Sequence, residues 1–146
     1  IYGIYGMSGG AWERTAGLVN NGNESLTIYG QSLLNQVQNG KSSKYVTVYP
    51  HDASVDKDGA DIDTASEANW KVNTKIYGDG IRETSTAGTV KTSWYGDYSG
   101  FPAVSSPFST RGGGCWDKDG AGLFCLYRGD GNSYFHHGFR SVLVAQ

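Results

Sequence analysis

Apolar residues in this chain come in short runs rather than long periods, and glycine, proline or an Asn-Gly pair closes most of them. Ile1 to Tyr5 alternates apolar and small residues as a short strand does, Gly9-Gly10 interrupts it, and Trp12 to Val19 resumes extended chain. Gln31 to Gln38 carries Leu33, Leu34 and Val37 at helical spacing and stops at Asn39-Gly40, which predicts a short helix. Tyr45-Val46-Thr47-Val48-Tyr49 is β-branched and aromatic throughout and predicts a strand ended by Pro50. Residues 52 to 63, with five Asp, read as an exposed loop. Thr64 or Ser66 is placed to cap a helix running through Trp70 toward Tyr77, with Glu67 early in it as the helix dipole favours, and Gly78 and Gly80 limit it. From Thr84 to Pro107 the Ser, Thr, Gly and Pro content predicts irregular coil, pinned to the core by Trp94, Tyr95, Tyr98 and Phe101. The last third predicts three short strands, around Phe108 to Gly113, Gly122 to Tyr127 and Phe139 to Ala145. The expected fold class is therefore α+β, loop-rich, with short antiparallel strands and two short helices. Trp12, Phe124 and Phe139 are expected to pack in its core, with Leu123 and Phe124 partly buried.

Composition narrows the function. A chain of 146 residues suits one domain with a core of its own. A net charge of -2 with 12 scattered Lys and Arg leaves no basic field for nucleic acid. No apolar run approaches the eighteen or so residues of a membrane span, and no charged-then-apolar leader is present. The chain starts at Ile1 directly inside a motif, so it is expected to be the C-terminal piece of a longer protein. Twenty-two glycines beside four Trp and ten Tyr describe tight turns with aromatics supplying contact area.

Residues 114 to 137 stand apart. They are crowded with Cys, Trp, Asp, Arg, Tyr and His, and lack hydrophobic periodicity except at Ala121-Gly122-Leu123-Phe124. A chemically mixed insert held between rigid elements has the character of a binding surface. Cys115 and Cys125 have nine residues between them and permit either one disulfide or two free thiols. His136 and His137 sit near Asp117, Asp119 and Asp130, but adjacent side chains on extended backbone point to opposite sides, which disfavours a shared zinc. No Gly-x-Ser-x-Gly, phosphate loop or zinc-protease helix motif is present.

Two motifs enclose this insert. The first is Gly3-Ile4-Tyr5-Gly6-Met7-Ser8-Gly9-Gly10-Ala11-Trp12-Glu13; the second is Arg111-Gly112-Gly113, followed by Gly138-Phe139-Arg140-Ser141-Val142-Leu143. They resemble the C-terminal half of the formylglycine-generating-enzyme family, a branch of the C-type lectin fold. Adding Tyr77-Gly78-Asp79-Gly80-Ile81-Arg82-Glu83-Thr84-Ser85 and Ser93-Trp94-Tyr95-Gly96-Asp97-Tyr98-Ser99-Gly100-Phe101-Pro102, the chain is closer still to the variable proteins of diversity-generating retroelements. The resemblance runs in order over nearly the whole chain. It departs at Gly6, where the family prefers an acidic or amide residue, and at Ser141, where close relatives tend to carry Pro.

The resemblance implies one C-type-lectin-like domain over residues 1 to 146 with a variable ligand-binding region at 114 to 137. Trp116, Tyr127, Tyr134 and Phe135 would be rigid aromatic anchors, and Asp117, Lys118, Asp119, Arg128, Asp130, Asn132, His136 and His137 directional polar contacts, with Cys115 and Cys125 on the same face. The implied partner is a macromolecular ligand, a protein rather than nucleic acid, with no insertion into membrane. The implied location is extracellular, on a bacterial surface or phage particle. Such an element mutates adenines in Asn codons and cannot generate Lys or Trp, so Lys118 and Trp116 would be fixed or come from other codons. The enzymes of the family use a closely spaced cysteine pair that binds copper as thiolates, and the spacing here does not map onto it. The expected function is therefore non-catalytic ligand display, the alternatives being a formylglycine-type oxidase and a structural part of a pilus or phage tail. No cofactor is expected: the calcium site of the enzyme branch would use the positions of Gly6, Gly9, Ala11 and Glu13, and glycine at the first removes one hard oxygen ligand. Glu13 is expected to pair with Arg111 or Arg140 instead.

Overall fold

The structure, a computed structural model, describes residues 10–37, 39–74 and 80–139. The strand expected over Ile1 to Tyr5, most of the one expected over Phe139 to Ala145, and the motif residues Gly3 to Gly9, Tyr77 to Asp79 and Arg140 to Leu143 lie outside them. The fold is mixed α+β: a five-stranded sheet with a few short helices. Its strands are β1 (Trp12–Val19), β2 (Thr47–Tyr49), β3 (Phe108–Arg111), β4 (Leu126–Gly129) and β5 (His137–Gly138). Its helices are α1 (Glu24–Tyr29), α2 (Gln31–Leu34), α3 (Ile62–Val72) and α4 (Gly80–Thr84).

β1 is the central strand. It pairs antiparallel with β3 along one edge, and β3 in turn pairs antiparallel with β4. Its remaining pairings, both parallel, are with β5 through Trp12 and Glu13 and with β2 through Gly17, Leu18 and Val19. The register against β3 shifts between Arg14 and Leu18, where β1 holds two more residues than its partner. That bulge resets the phase of the strand. Beyond it both faces of β1 are covered, Leu18 by one apolar cluster and Val19 by another, so Gly17, Leu18 and Val19 are all buried, while Glu13 to Thr15 stay half-exposed. Gly17 is required where it lies: an added Cβ would stand 2.5 Å from Ser109 Oγ.

The apolar core is divided into small clusters. Leu18, Leu26, Val46 and Phe108 form one, joined by Leu33, Leu34, Val37 and Val48. Val19, Ile81 and Phe101 form the second with Tyr49, Trp70 and Leu126, and Ala65, Ala103 and Val104 the third. A polar hub links them. Asp56 is only 3% exposed. Its Oδ1 accepts from Asn21 Nδ2 at 3.0 Å and the Val104 amide at 2.5 Å, and its Oδ2 accepts from Asn69 Nδ2 at 2.8 Å. Asn69, wholly buried on α3, also donates to the Pro102 carbonyl and accepts from the Asp52 amide. Four distant segments therefore meet on one carboxylate and one carboxamide.

Several expectations change here. The Asp-rich stretch is not simply exposed loop, because Asp56 is drawn inside by three N–H donors. α3 is capped by Asp61, which accepts from the Thr64 amide and hydroxyl, rather than by Thr64 or Ser66, and it ends at Val72. Glu67 lies mid-helix and accepts from the Gly88 amide. Gly80 opens a helix rather than limiting one. The helix expected from Gln31 reaches only Leu34, preceded by α1, whose N-cap Asn23 accepts from the Ser25 amide. The strand expected over 45–49 begins at Thr47, and the one expected over 122–127 lies at Leu126–Gly129. Phe101 anchors its coil, being wholly buried, whereas Trp94 and Tyr95 are 52% and 90% exposed. Trp12 is core and Phe124 is half-buried, as expected, but Phe139 and Leu123 are exposed. On β1, Glu13 lies opposite Arg111 in the ladder.

Replacing Asp56 by Asn puts an amide donor where the acid accepted, facing N–H groups that then lose their acceptor. Asp56→Asn is expected to lower unfolding free energy by about 2 kcal/mol and Asp56→Ala by about 3. Urea unfolding checks both, and unchanged midpoints would refute the hub.

Candidate functional site

A cleft of about 550 Å³ opens where the sheet meets α1 and the chain following β4. Trp12, Thr110, Tyr127, Arg128 and Gly129 line it from β1, β3 and β4. Glu24, Ser25, Ile28 and Tyr29 come from α1, with Ser105 and Ser106 from a loop. Asp117, Asp130, Tyr134, His136 and His137 complete it. Half of the site residues expected from sequence thus converge: Asp117, Tyr127, Arg128, Asp130, Tyr134, His136 and His137.

The rest distribute around it. Trp116 and Phe135, 48% and 92% exposed, stand beside His136 with ring centroids 5.0 and 5.1 Å away. Asn132 lies in an adjoining hollow with Arg14, Ile28, Tyr29 and Phe139. Lys118 is exposed with a left-handed φ of 51°. Asp119 is exposed and pairs with Lys91 at 2.6 Å, so it braces a neighbouring loop instead of lining the cleft. Each partner holds the other's charge: the pKa of Lys91 is raised and that of Asp119 lowered, chiefly by their shared hydrogen bond.

The cysteines resolve to two free thiols, Cys115 exposed and Cys125 buried. Burial, with Asp97 and Asp117 nearby, pushes the Cys125 thiol up to about 12. Cys125 is therefore scaffold, and only Cys115 belongs to the outer surface.

Three polar ties hold the site to the frame. Arg128 is not a free contact: its side chain is 6% exposed, Nη1 donates to Ser66 Oγ at 2.8 Å, and Nη2 pairs with Asp63 at the start of α3. Asp97, itself buried, accepts from the Phe124 amide at 2.9 Å, and Gly122 is needed because a Cβ there would meet the Asp97 carboxylate at 2.1 Å. Arg14 donates to the Asn132 carbonyl and, at 3.0 Å, to His137 Nδ1. Its guanidinium fastens the loop that carries Tyr134, Phe135 and His136 to β1, helped by the Trp12 amide donating to the His136 carbonyl.

The two histidines do not point to opposite sides. Their ring centroids are 4.6 Å apart, and Tyr134 stacks on His136 at 5.3 Å while meeting His137 edge-on at 5.1 Å. A turn closes the loop just before them, the His137 amide donating to the Tyr134 carbonyl, so the backbone is not extended there. Asp130 organises that turn, accepting from the Asn132 amide at 2.9 Å and the Tyr134 hydroxyl at 2.7 Å. The same bond raises the Tyr134 pKa. Among the described residues no group of three or more His, Cys, Asp or Glu is arranged to hold a metal ion.

Sequence reasoning missed Trp12, Glu24, Ile28 and Tyr29 as cleft residues, together with the exposed pair Trp94 and Tyr95. Ring centroids of Trp94 and Tyr95 lie 5.1 and 5.7 Å from Phe124, extending the aromatic surface beyond residues 114 to 137. No spacing rule points to α1, which reaches the cleft only through the fold; exposed Ile28 is its one anomaly in composition.

Two outcomes follow. Native protein treated with a thiol reagent should release one equivalent quickly, from Cys115, and the second only on unfolding; two fast equivalents would refute the burial of Cys125. Burial first, then the Arg14 charge and His136, hold the His137 pKa below the ordinary imidazole range, with Asp130 opposing. A depressed pKa in the folded state stabilises above the unfolded value, near 6.5, and that stability is lost as pH falls through the folded value. The protection factors of amides 132 to 138, observed exchange divided into the intrinsic rate at each pH, should therefore fall as pH drops below about 6.5, and His137→Gln should flatten this dependence.

Searches of known protein families, curated proteins and solved structures each find no match to the chain.

Proposed function

We propose that this chain is a non-catalytic display domain of C-type-lectin-like fold, a variable protein of the diversity-generating-retroelement kind, whose exposed face binds a protein ligand. One observation carries the reading: Trp116, Tyr134 and Phe135 stand 48%, 40% and 92% exposed on loops around a cleft, while the strands beneath them are hydrogen-bonded into a buried frame. Large exposed aromatics clustered beside polar groups are the composition of a contact surface, since they offer area at small rotamer cost. Sheet strands position such loops without depending on their sequence.

The thiols support the non-catalytic side of this reading over the oxidase. A copper-thiolate pair needs two sulfurs in like surroundings that ionise together, and here one is exposed and the other is held protonated by burial. The carbohydrate ligand that a lectin-type fold brings to mind is not adopted, because fold alone does not fix function. The bacterial surface or a phage particle is the proposed location, by resemblance.

Sequencing the gene from many members of its source population tests the proposal. Nonsynonymous variation should concentrate in exposed positions of 115 to 137, at sites matching adenines in a nearby template repeat. The natural variants should keep unfolding free energies within about 1 kcal/mol of one another, as exposed substitutions do. Variation spread evenly, with this region as fixed as Trp12 and Arg111, would overturn it.

A further inference from the structure

We propose that the 550 Å³ cleft receives a cationic side chain, arginine or lysine, projecting from the protein ligand. This rests on the display reading and specifies what the face recognises. Three carboxylates from separate parts of the chain line the cleft: Glu24 of α1, Asp117, and Asp130 after β4. Among the described residues none of the three takes part in an ion pair. The cleft's cationic lining residue, Arg128, is already neutralised by Asp63 and turned to α3 by Ser66. Arg14 stands behind the wall, 3.0 Å from His137 Nδ1, and offsets part of this charge, so the cavity keeps a net negative charge from three carboxylates against one unpaired guanidinium.

The remaining lining suits an organic cation rather than a metal ion. Trp12, Tyr29 and Tyr134 present ring systems, whose negative faces attract guanidinium and ammonium groups, Arg most of all, whereas the Tyr127 ring already carries the Arg128 guanidinium 5.0 Å from its centroid. A hydrated metal ion would gain nothing from those rings, and the cavity is far larger than one. The His137 pKa is depressed, which keeps a competing positive charge out of the site at neutral pH. At the mouth, exposed Trp116 and Phe135 would cover the aliphatic stem and the neighbouring partner surface.

The test is a titration of the intact 15N-labelled chain with N-acetyl-arginine methylamide and N-acetyl-lysine methylamide, followed by amide and tryptophan indole resonances. The glutamate and leucine analogues and methyl glucoside serve as comparison probes. The cationic probes should shift Trp12 and residues 127 to 137 saturably at millimolar concentration, and binding should weaken roughly tenfold in 0.5 M salt. Glu24→Gln, Asp117→Asn and Asp130→Asn keep an oxygen for the local backbone bonds while removing charge; each should weaken binding about threefold to tenfold. Two carboxylates removed together should abolish it, with the dispersion of the spectrum unchanged as the control for folding. Equal response to the glutamate, leucine or sugar probes, or no localised shift with the cationic ones, would overturn the proposal. Either result leaves the display reading to its own test, the distribution of natural variation, so the two can fail separately.

Discussion

A buried carboxylate that must keep its hydrogen bonds is the constraint on which this fold turns. With apolar clusters of only three or four fully buried residues each, hydrophobic burial alone leaves the order of the long loops weakly specified. Asp56 supplies that specification. Its oxygens are reached by the turn after β1, by α3 and by the loop before β3, and any arrangement that separated these segments would leave a charge in the interior without donors. Directional polar bonds thereby do what a larger core would do by shape.

The same economy governs the functional face. Its loops are fastened from the frame, by Arg14 on β1 to Asn132 and His137 and by buried Asp97 to the Phe124 amide, while Arg128 ties β4 to α3. Apart from the one to His137, these bonds are made to backbone groups or to residues behind the surface. The aromatics that face outward, Phe135 above all, are spared from structural duty. A face built this way tolerates change at its outermost positions while its backbone stays in place, as ligand diversity on one scaffold requires. It also gives a limit. Residues such as Arg128 and Asp119, which composition alone places among ligand contacts, are ties or braces, and changing them disturbs the scaffold.

The resemblance to retroelement variable proteins and the geometry are complementary arguments. The motifs are the ground for proposing that residues 114 to 137 vary; the cleft bears on the chemistry of the proposed face, because carboxylates, rings and the depressed imidazole of His137 converge on it. α1 belongs to this second argument alone. It lies well before the insert in sequence, yet it contributes Glu24, Ile28 and Tyr29 to the same cavity.

The sequence by itself determined what local chemistry can settle. β1 over Trp12 to Val19, β3 from Phe108 and the α+β class were legible because β propensity acts over a few neighbours, whereas the helix caps and stops were not. It also marked 114 to 137 as chemically unlike its surroundings. Only the tertiary structure decided which residues of like composition go inside. Asp56 is buried and Asp58 is not, Phe101 is core and Phe139 is surface, and one thiol is free to react while the other is enclosed. Those outcomes depend on partners tens of residues away, through the bulge in β1, the three donors to Asp56 and the reach of Arg14 across to Asn132. No periodicity records such meetings, since a hydrogen bond or a burial between distant segments leaves no trace in the spacing of either.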